Sequence, residues 1–207
     1  MFNIKKEDLA KLREEYPIGS RIVLLKMEDS YNQQPPRGTI GTVRKVDDAG
    51  TIIPSWDGHG SLGVVYGEDI AKKLTVVPCD KDNPFYTDKP DTKYTEILDL
   101  AVMLIKKGIP FEMKQCCDGW QIGYPEVPKS GVKTDSQIVV SQHQYIKGYE
   151  KNLLMVFDRT CDGKSALSEL CNGLKSKFTE SQVTAERALT ILCDYIKNSE
   201  NKESEEK

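Results

Sequence analysis

Arg21-Ile22-Val23-Leu24-Leu25-Lys26-Met27, then Thr39-Ile40-Gly41-Thr42-Val43-Arg44-Lys45-Val46, then Thr51-Ile52-Ile53-Pro54-Ser55-Trp56, decide the reading of the first part of the chain. Each run is short, rich in β-branched or aromatic residues, and bounded by turn formers, which is the pattern of a strand. Asp29 to Arg37 contains Pro35-Pro36 and must be a loop, because proline cannot donate to a sheet interior. Asp47-Asp48-Ala49-Gly50 and Asp57-Gly58-His59-Gly60 read as tight turns. Ser61 to Tyr66 predicts a fourth strand, Gly67-Glu68-Asp69-Ile70 one tight helical turn, and Lys73 to Val77 a fifth strand. Five short strands, with one long loop after the first and tight turns elsewhere, imply a five-stranded SH3-like β-barrel that closes to hide its edges.

Working outward, Lys5 to Glu15 predicts an N-terminal helix with Leu9 and Leu12 turned inward, stopped by Pro17 and Gly19. On the other side, residues 80–93 are polar and hold two prolines, which reads as a linker, with Phe85 and Tyr86 able to pin it to one domain. Thr95 to Lys107 then predicts a central helix with Ile97, Ala101, Leu104 and Ile105 in one stripe and Leu98, Val102 and Met103 widening it, capped by Gly108. Phe111–Cys116 and Trp120–Tyr124 form a hairpin around Cys117-Asp118-Gly119, followed by strands at Ser136–Ser141 and Leu153–Phe157. Thr184 to Asn198 is the last helix, with Thr184 as its N-cap. The pattern over 160–183 assigns no firm element beyond a short helix at Leu167–Leu174. The fold class is therefore α+β. An SH3-like barrel domain with its N-terminal helix spans 1–79, a linker 80–93, a helix–antiparallel strands–helix domain 94–198, and a mobile polar tail 199–207.

The 207 residues are 38% hydrophobic and 29% charged, enough apolar material for a core under a well-solvated surface. A net charge of -3 is not the footprint of a strongly basic nucleic-acid binder, although a local basic face is compatible with it. No apolar run reaches the roughly 20 residues of a membrane span, and the first residues lack the apolar stretch of a signal peptide. The expected location is the cytoplasm.

Chemistry-bearing residues are few. The six cysteines, at 79, 116, 117, 161, 171 and 193, include no Cys-x-x-Cys, and the two histidines are His59 and His143. Zinc sites use ligands paired at short spacing, so neither a metal nor a disulfide framework is expected, and no cofactor. The one reactive group that can be assembled is Cys116 or Cys117 with His143 and Asp118. A carboxylate beside a thiol raises its pKa, the opposite of activation, so no catalytic residue is assigned. Gly38-Thr39-Ile40-Gly41 and Gly58-His59-Gly60-Ser61 read as turns, because neither opens a helix after a strand as a phosphate loop must.

The stretch Tyr16-Pro17-Ile18-Gly19-Ser20-Arg21-Ile22-Val23-Leu24 continues through Met27-Glu28-Asp29 and Pro35-Pro36-Arg37-Gly38-Thr39-Ile40-Gly41-Thr42-Val43. It goes on through Val46-Asp47-Asp48-Ala49-Gly50, Trp56-Asp57 and Ser61-Leu62 to Val64-Val65-Tyr66-Gly67-Glu68-Asp69. This pattern resembles an uncharacterised domain family common in phages and conjugative elements of Gram-positive bacteria. The likeness covers roughly residues 14–75 and departs at Gly58-His59-Gly60, where that family has a tighter Asn-Gly-type turn. The resemblance implies an SH3-like module in a mobile element and carries over no catalytic residue; the second half resembles no family.

Two sets of binding residues emerge. Asp29, Tyr31, Asp48, Asp57, His59, Glu68 and Asp69 offer acidic and aromatic loops suited to a basic protein groove. Arg21, Lys26, Arg37, Arg44 and Lys45 give a basic component for nucleic acid, with Tyr31, Trp56, His59 and Tyr66 as stacking faces, against acidic loops that repel phosphate. Trp56 and Trp120 fit either the core or an interface. The expected function is a non-enzymatic accessory binding protein of a phage or mobile element. It would bind and inhibit a host protein or ribonucleoprotein, with anti-CRISPR inhibition of a defence nuclease as one concrete version. A nucleic-acid-binding accessory factor is the first alternative and a cysteine-dependent enzyme the last.

Overall fold

The structure is a computed structural model and describes residues 4–76, 95–116, 119–124, 138–143, 154–158 and 178–205. The chain divides into two compact units, residues 1–78 with 113–115, and residues 79–112 with 116–207. The expected linker 80–93 and the hairpin turn Cys117-Asp118 lie outside the described residues.

The first unit opens with α1 (Lys6–Glu15), whose last turn closes with the Tyr16 N–H on the Leu12 carbonyl (2.9 Å). The helix has no buried residue of its own, and Leu12 packs on the core only as a half-buried side chain. It is held from its end. Tyr16 is buried, and its hydroxyl donates to the Ala71 carbonyl at 3.1 Å. Burial, with the Glu15 carboxylate beside it, pushes the Tyr16 phenol above its ordinary range, so it stays protonated and available as a donor.

Four strands follow: β1 (Arg21–Lys26), β2 (Ile40–Val46), β3 (Ile52–Trp56) and β4 (Ile70–Lys73), antiparallel in the order β3-β2-β1-β4. β1 lies inside the sheet, and Ile22 to Leu25 are all buried, so both of its faces are covered. One face carries the core of Tyr16, Ile22, Leu24, Val43, Ile52, Trp56 and Val64. In β2 the alternation fails at Arg44 and Lys45, both exposed, because the register slips between Val43 and Lys45 opposite β3. An inserted residue of this kind re-aims the side chains that follow it.

The closed five-stranded barrel is not formed among the described residues. Ser61 to Tyr66, expected as a strand, makes a single bridge, Val64 to Ile52, with hydrogen bonds of 2.9 and 2.8 Å. Glycine explains the shortfall. Gly60 and Gly63 bring no side chain to a pleated surface, and Gly63 sits so close that a Cβ there would lie 2.6 Å from Thr51 Cγ2. The last strand also begins earlier than expected, at Ile70. A short β5 (Thr75–Val76) follows and pairs in parallel with Lys114 and Gln115, in β6 (Glu112–Cys116).

The second unit holds α2 (Thr95–Lys106), the antiparallel strands β7 (Gly119–Tyr124), β8 (Ile138–His143), β9 (Leu154–Asp158) and β10 (Phe178–Val183) in the order β10-β9-β8-β7, and α3 (Ala185–Glu205). α2 packs against α3, β7 and β8. It buries Ile97, Leu98, Leu100, Ala101 and Leu104; Leu100 belongs to the inward stripe and Ile105 is only half-buried. Gly108, at φ +67°, ends it: its N–H meets the Ile105 carbonyl and the Ile109 N–H meets the Leu104 carbonyl, both at 3.0 Å, the paired pattern of a glycine-terminated helix. α3 runs past Asn198 to Glu205, through the stretch expected as a tail. Glu and Lys favour helix there, and no glycine or proline stops it.

Helix starts leave free N–H groups that must be paired when buried. Ile97 N–H, in the first turn of α2, donates to Oε1 of the fully buried Gln142 at 3.0 Å. Ala185 N–H, opening α3, donates to Glu96 Oε2 at 2.8 Å, while the expected cap Thr184 accepts from Arg187 N–H at a longer 3.4 Å. Gln142→Ala should therefore lower stability by about 1–3 kcal/mol in urea unfolding, because it strands a buried donor. Glu96→Gln, which keeps an acceptor oxygen for Ala185, should cost under about 1 kcal/mol.

Candidate partner-binding surface

In an antiparallel sheet, the end of one strand lies beside the start of its neighbour. The β1–β2 loop (27–39) and the β3–β4 loop (57–69) therefore leave the same end of the first sheet. Six of the seven acidic and aromatic residues singled out in the sequence sit in these loops: Asp29 and Tyr31 in one, Asp57, His59, Glu68 and Asp69 in the other. Asp48 does not join them. It sits in the β2–β3 turn at the opposite end, paired to Arg13 of α1 at 2.6 Å.

The two loops meet around a cleft of about 570 Å³ lined by Lys26, Glu28, Asp29, Ser30, Glu68 and Asp69. Four carboxylates face one ammonium, and that ammonium, Lys26, is already 3.1 Å from Glu28. The cleft is therefore an acidic surface. Glu28 was not in the expected set, although its place beside Asp29 was the signal for it. Two of the expected acids also build the loops. Asp29 Oδ2 accepts from Gln33 N–H at 2.8 Å and Asp69 Oδ2 from Val65 N–H at 2.9 Å. Glu68 is exposed.

Both loops are held over their length by hydrogen bonds. Arg37 Nε–H donates to the Leu25 carbonyl at 2.8 Å, and Gly38 N–H to the Leu24 carbonyl at 2.8 Å. Asn32 sits at φ +53°, a left-handed conformation that asparagine tolerates, with its N–H on the Asp29 carbonyl. This turn presents Tyr31 at 81% exposure. In the other loop, Trp56 Nε1–H donates to the Leu62 carbonyl at 2.8 Å. The ring itself is 2% exposed and Trp120 is 4% exposed, so both tryptophans are core residues and neither is an interface anchor or a stacking face.

The basic set is dispersed. Arg21 grips the Asp57 carboxylate through both terminal nitrogens and donates to Thr42 Oγ1 at 2.7 Å. Lys26 faces Glu28, and Arg37 is spent on the loop backbone. Arg44 and Lys45 alone of the five stand exposed with no ion pair among the described residues. The β3 edge of the sheet is also covered, and one carbonyl of the β4 edge is occupied. On β3, Val64 takes both hydrogen bonds of Ile52, Gly60 accepts from Trp56 N–H, and Pro54 has no N–H; on β4, Tyr16 occupies the Ala71 carbonyl. Addition of a partner strand has little backbone to pair with along β3.

Residues 5–74 match a family described as a domain of unknown function, DUF4314. The DUF4314 match spans about a third of the chain and contains α1, the four-stranded sheet and both loops. No curated protein and no solved structure matches the chain.

The remaining candidates fall elsewhere. Cys117 and Asp118 lie outside the described residues, as do Cys79, Cys161 and Cys171, and the side chains of Cys116 and His143 are not described. Cys193 is a half-buried free thiol on α3. Among the described residues, no group of three His, Cys, Asp or Glu is placed to hold a metal ion, and no helix is long and apolar enough to cross a membrane.

Proposed function

We propose that the protein is a non-enzymatic binding protein whose acidic loop surface occupies a basic surface of a macromolecular partner. The observation that carries the reading is the convergence of Glu28, Asp29, Glu68 and Asp69 on one cleft from two loops held by their own hydrogen bonds. Preorganised loops lose little freedom on binding, so charge complementarity is retained as affinity and as a fast encounter. Tyr31, exposed beside Glu28 and Asp29, supplies an aromatic anchor of the kind that dominates interfaces. The long loop after the first strand and the tight turn between the second and third support an SH3-like kinship for the first unit in an opened form. The sequence resemblance to domains of phages and conjugative elements supports a mobile-element setting in a bacterial cytoplasm. A host protein or ribonucleoprotein is then the partner, and inhibition of a defence nuclease is the most concrete version.

Direct nucleic-acid binding has Arg44 and Lys45 in its favour, brought to the surface together by the β2 bulge. The acidic loops and the engaged state of Arg21, Lys26 and Arg37 count against it.

The test is capture from a Gram-positive host lysate, with and without nuclease, by wild type and by Glu28→Lys with Glu68→Lys. Both side chains are exposed, so folding should change by no more than about 0.5 kcal/mol per site. Wild type should retain a basic partner after nuclease treatment and the double variant should lose it. Equal capture by both would refute the acidic surface. Conversion of a target by sub-stoichiometric protein would refute action by occupation.

A further inference from the structure

From sequence alone, Arg21 reads as a cation for phosphate. We infer that it is instead the positioning residue of the 57–69 loop, an inference that rests on the proposed part of that loop in the partner surface.

The geometry is specific to a guanidinium. Nη1–H donates to Asp57 Oδ1 at 3.0 Å and to Thr42 Oγ1 at 2.7 Å, and Nη2–H donates to Asp57 Oδ2. Three of the N–H donors on the two terminal nitrogens therefore have partners within the first unit, and the planar fork matches the carboxylate in a way an ammonium cannot. Asp57 is the first residue past β3. Its N–H donates to the Ile40 carbonyl at 2.8 Å, extending the ladder by one rung.

Beyond it the chain turns through Gly58, at φ +71°, and Gly60, each with open space where a Cβ would stand. Two backbone bonds close this turn, His59 N–H to the Trp56 carbonyl and Trp56 N–H to the Gly60 carbonyl, both 3.1 Å. Among the described residues, Asp57 is the one member of 57–61 whose side chain another residue holds. The clamp thus fixes the start of the loop, and the hydrogen bond from Trp56 to Leu62 fixes its next point. Without Arg21, the turn and the Asp57 and Leu62 backbone anchors remain, but the start of the loop loses its side-chain hold, and ordering the tip that carries His59 becomes a larger part of the cost of binding.

The experiment measures amide exchange in the full chain for wild type, Arg21→Gln, Asp57→Asn, and the swap Arg21→Asp with Asp57→Arg. Arg21→Gln and Asp57→Asn should speed exchange at Trp56, Asp57 and His59 about three- to tenfold, with Gln33 and Gly38 in the other loop unchanged. The swap should restore most of the protection, which loss of a merely structural side chain would not allow. In the lysate capture above, Arg21→Gln keeps every cleft carboxylate and should still weaken capture several-fold. Unchanged exchange, or a swap that restores nothing, overturns the inference, as does a loosened loop with undiminished capture. Weaker binding of a dT20 oligonucleotide by Arg21→Gln with unchanged exchange would return Arg21 to phosphate contact. Failure of the Glu28→Lys, Glu68→Lys pair to reduce capture would instead fall on the proposed function and leave the clamp standing.

Discussion

Trp56→Ala should destabilise the first unit by about 3–5 kcal/mol, the range for deleting a buried aromatic ring. The ring is 2% exposed among Ile22, Leu24, Val43, Ile52 and Val64, and its indole N–H holds the Leu62 carbonyl. A unit of this size has a total stability of only about 5–15 kcal/mol, so the loss is a large share of it. Trp56→Phe keeps most of the packing and loses one hydrogen bond, and should cost less, about 1–2 kcal/mol. Urea unfolding, read together with amide exchange at Leu24 and Val43, measures the effect on this unit separately from the other. An Ala variant that unfolds at the wild-type midpoint would contradict the placement of Trp56 in the core.

Gly41→Ala should cost about 1–3 kcal/mol, although alanine is a small residue and the site is in a strand. A Cβ at position 41 would lie 2.7 Å from Trp56 Cε3 and 3.1 Å from the Ser55 carbonyl oxygen, and neither can yield cheaply. Gly41 faces Trp56 directly in the β2–β3 register, so the missing side chain is the space the indole fills. The two substitutions must therefore couple. In a Trp56→Ala background the ring is gone, and Gly41→Ala should cost little, giving an interaction term of about 1–2 kcal/mol in a double-mutant cycle. An additive cycle would contradict this account of the glycine.

The strands that turn residues punctuate were legible. β1, β2 and β3 fall within a residue of their expected bounds, because Pro17-Ile18-Gly19, Asp47 to Gly50 and Asp57 to Gly60 mark their ends unambiguously. α2 was legible for the same reason, with Gly108 as its stop. Ser61 to Tyr66 misled because Val64, Val65 and Tyr66 have strand propensity, while Gly60 and Gly63 let the backbone approach β3 at one point only. Nothing in the sequence marks β10. Phe178-Thr179-Glu180-Ser181-Gln182-Val183 is mostly polar, and its pairing with β9 carries two register shifts, so no clean period-two signal reaches the sequence.

The proposed binding surface was half legible. Asp29, Glu68 and Asp69 were visible as acidic loop residues, but their convergence depends on which strand ends are neighbours, which topology decides. The split of the basic set was not visible. Arg21 and Asp57 are 36 positions apart, and nothing local announces that they meet. That pairing also changes which substitutions are informative. Asp57→Lys would set two cations together and disturb the loop itself, whereas Glu28 and Glu68 test charge without breaking the Arg21 clamp.

The most direct test compares two double variants in the nuclease-treated lysate capture: Glu28→Lys with Glu68→Lys, and Arg44→Glu with Lys45→Glu. Each pair reverses two exposed charges, so the comparison holds the number of reversed sites constant. An acidic surface that occupies a basic partner predicts that the first pair abolishes capture and the second leaves it at the wild-type level. Capture that survives reversal at Glu28 and Glu68 but disappears with Arg44 and Lys45 would contradict it, and would place the binding face on the β2 bulge.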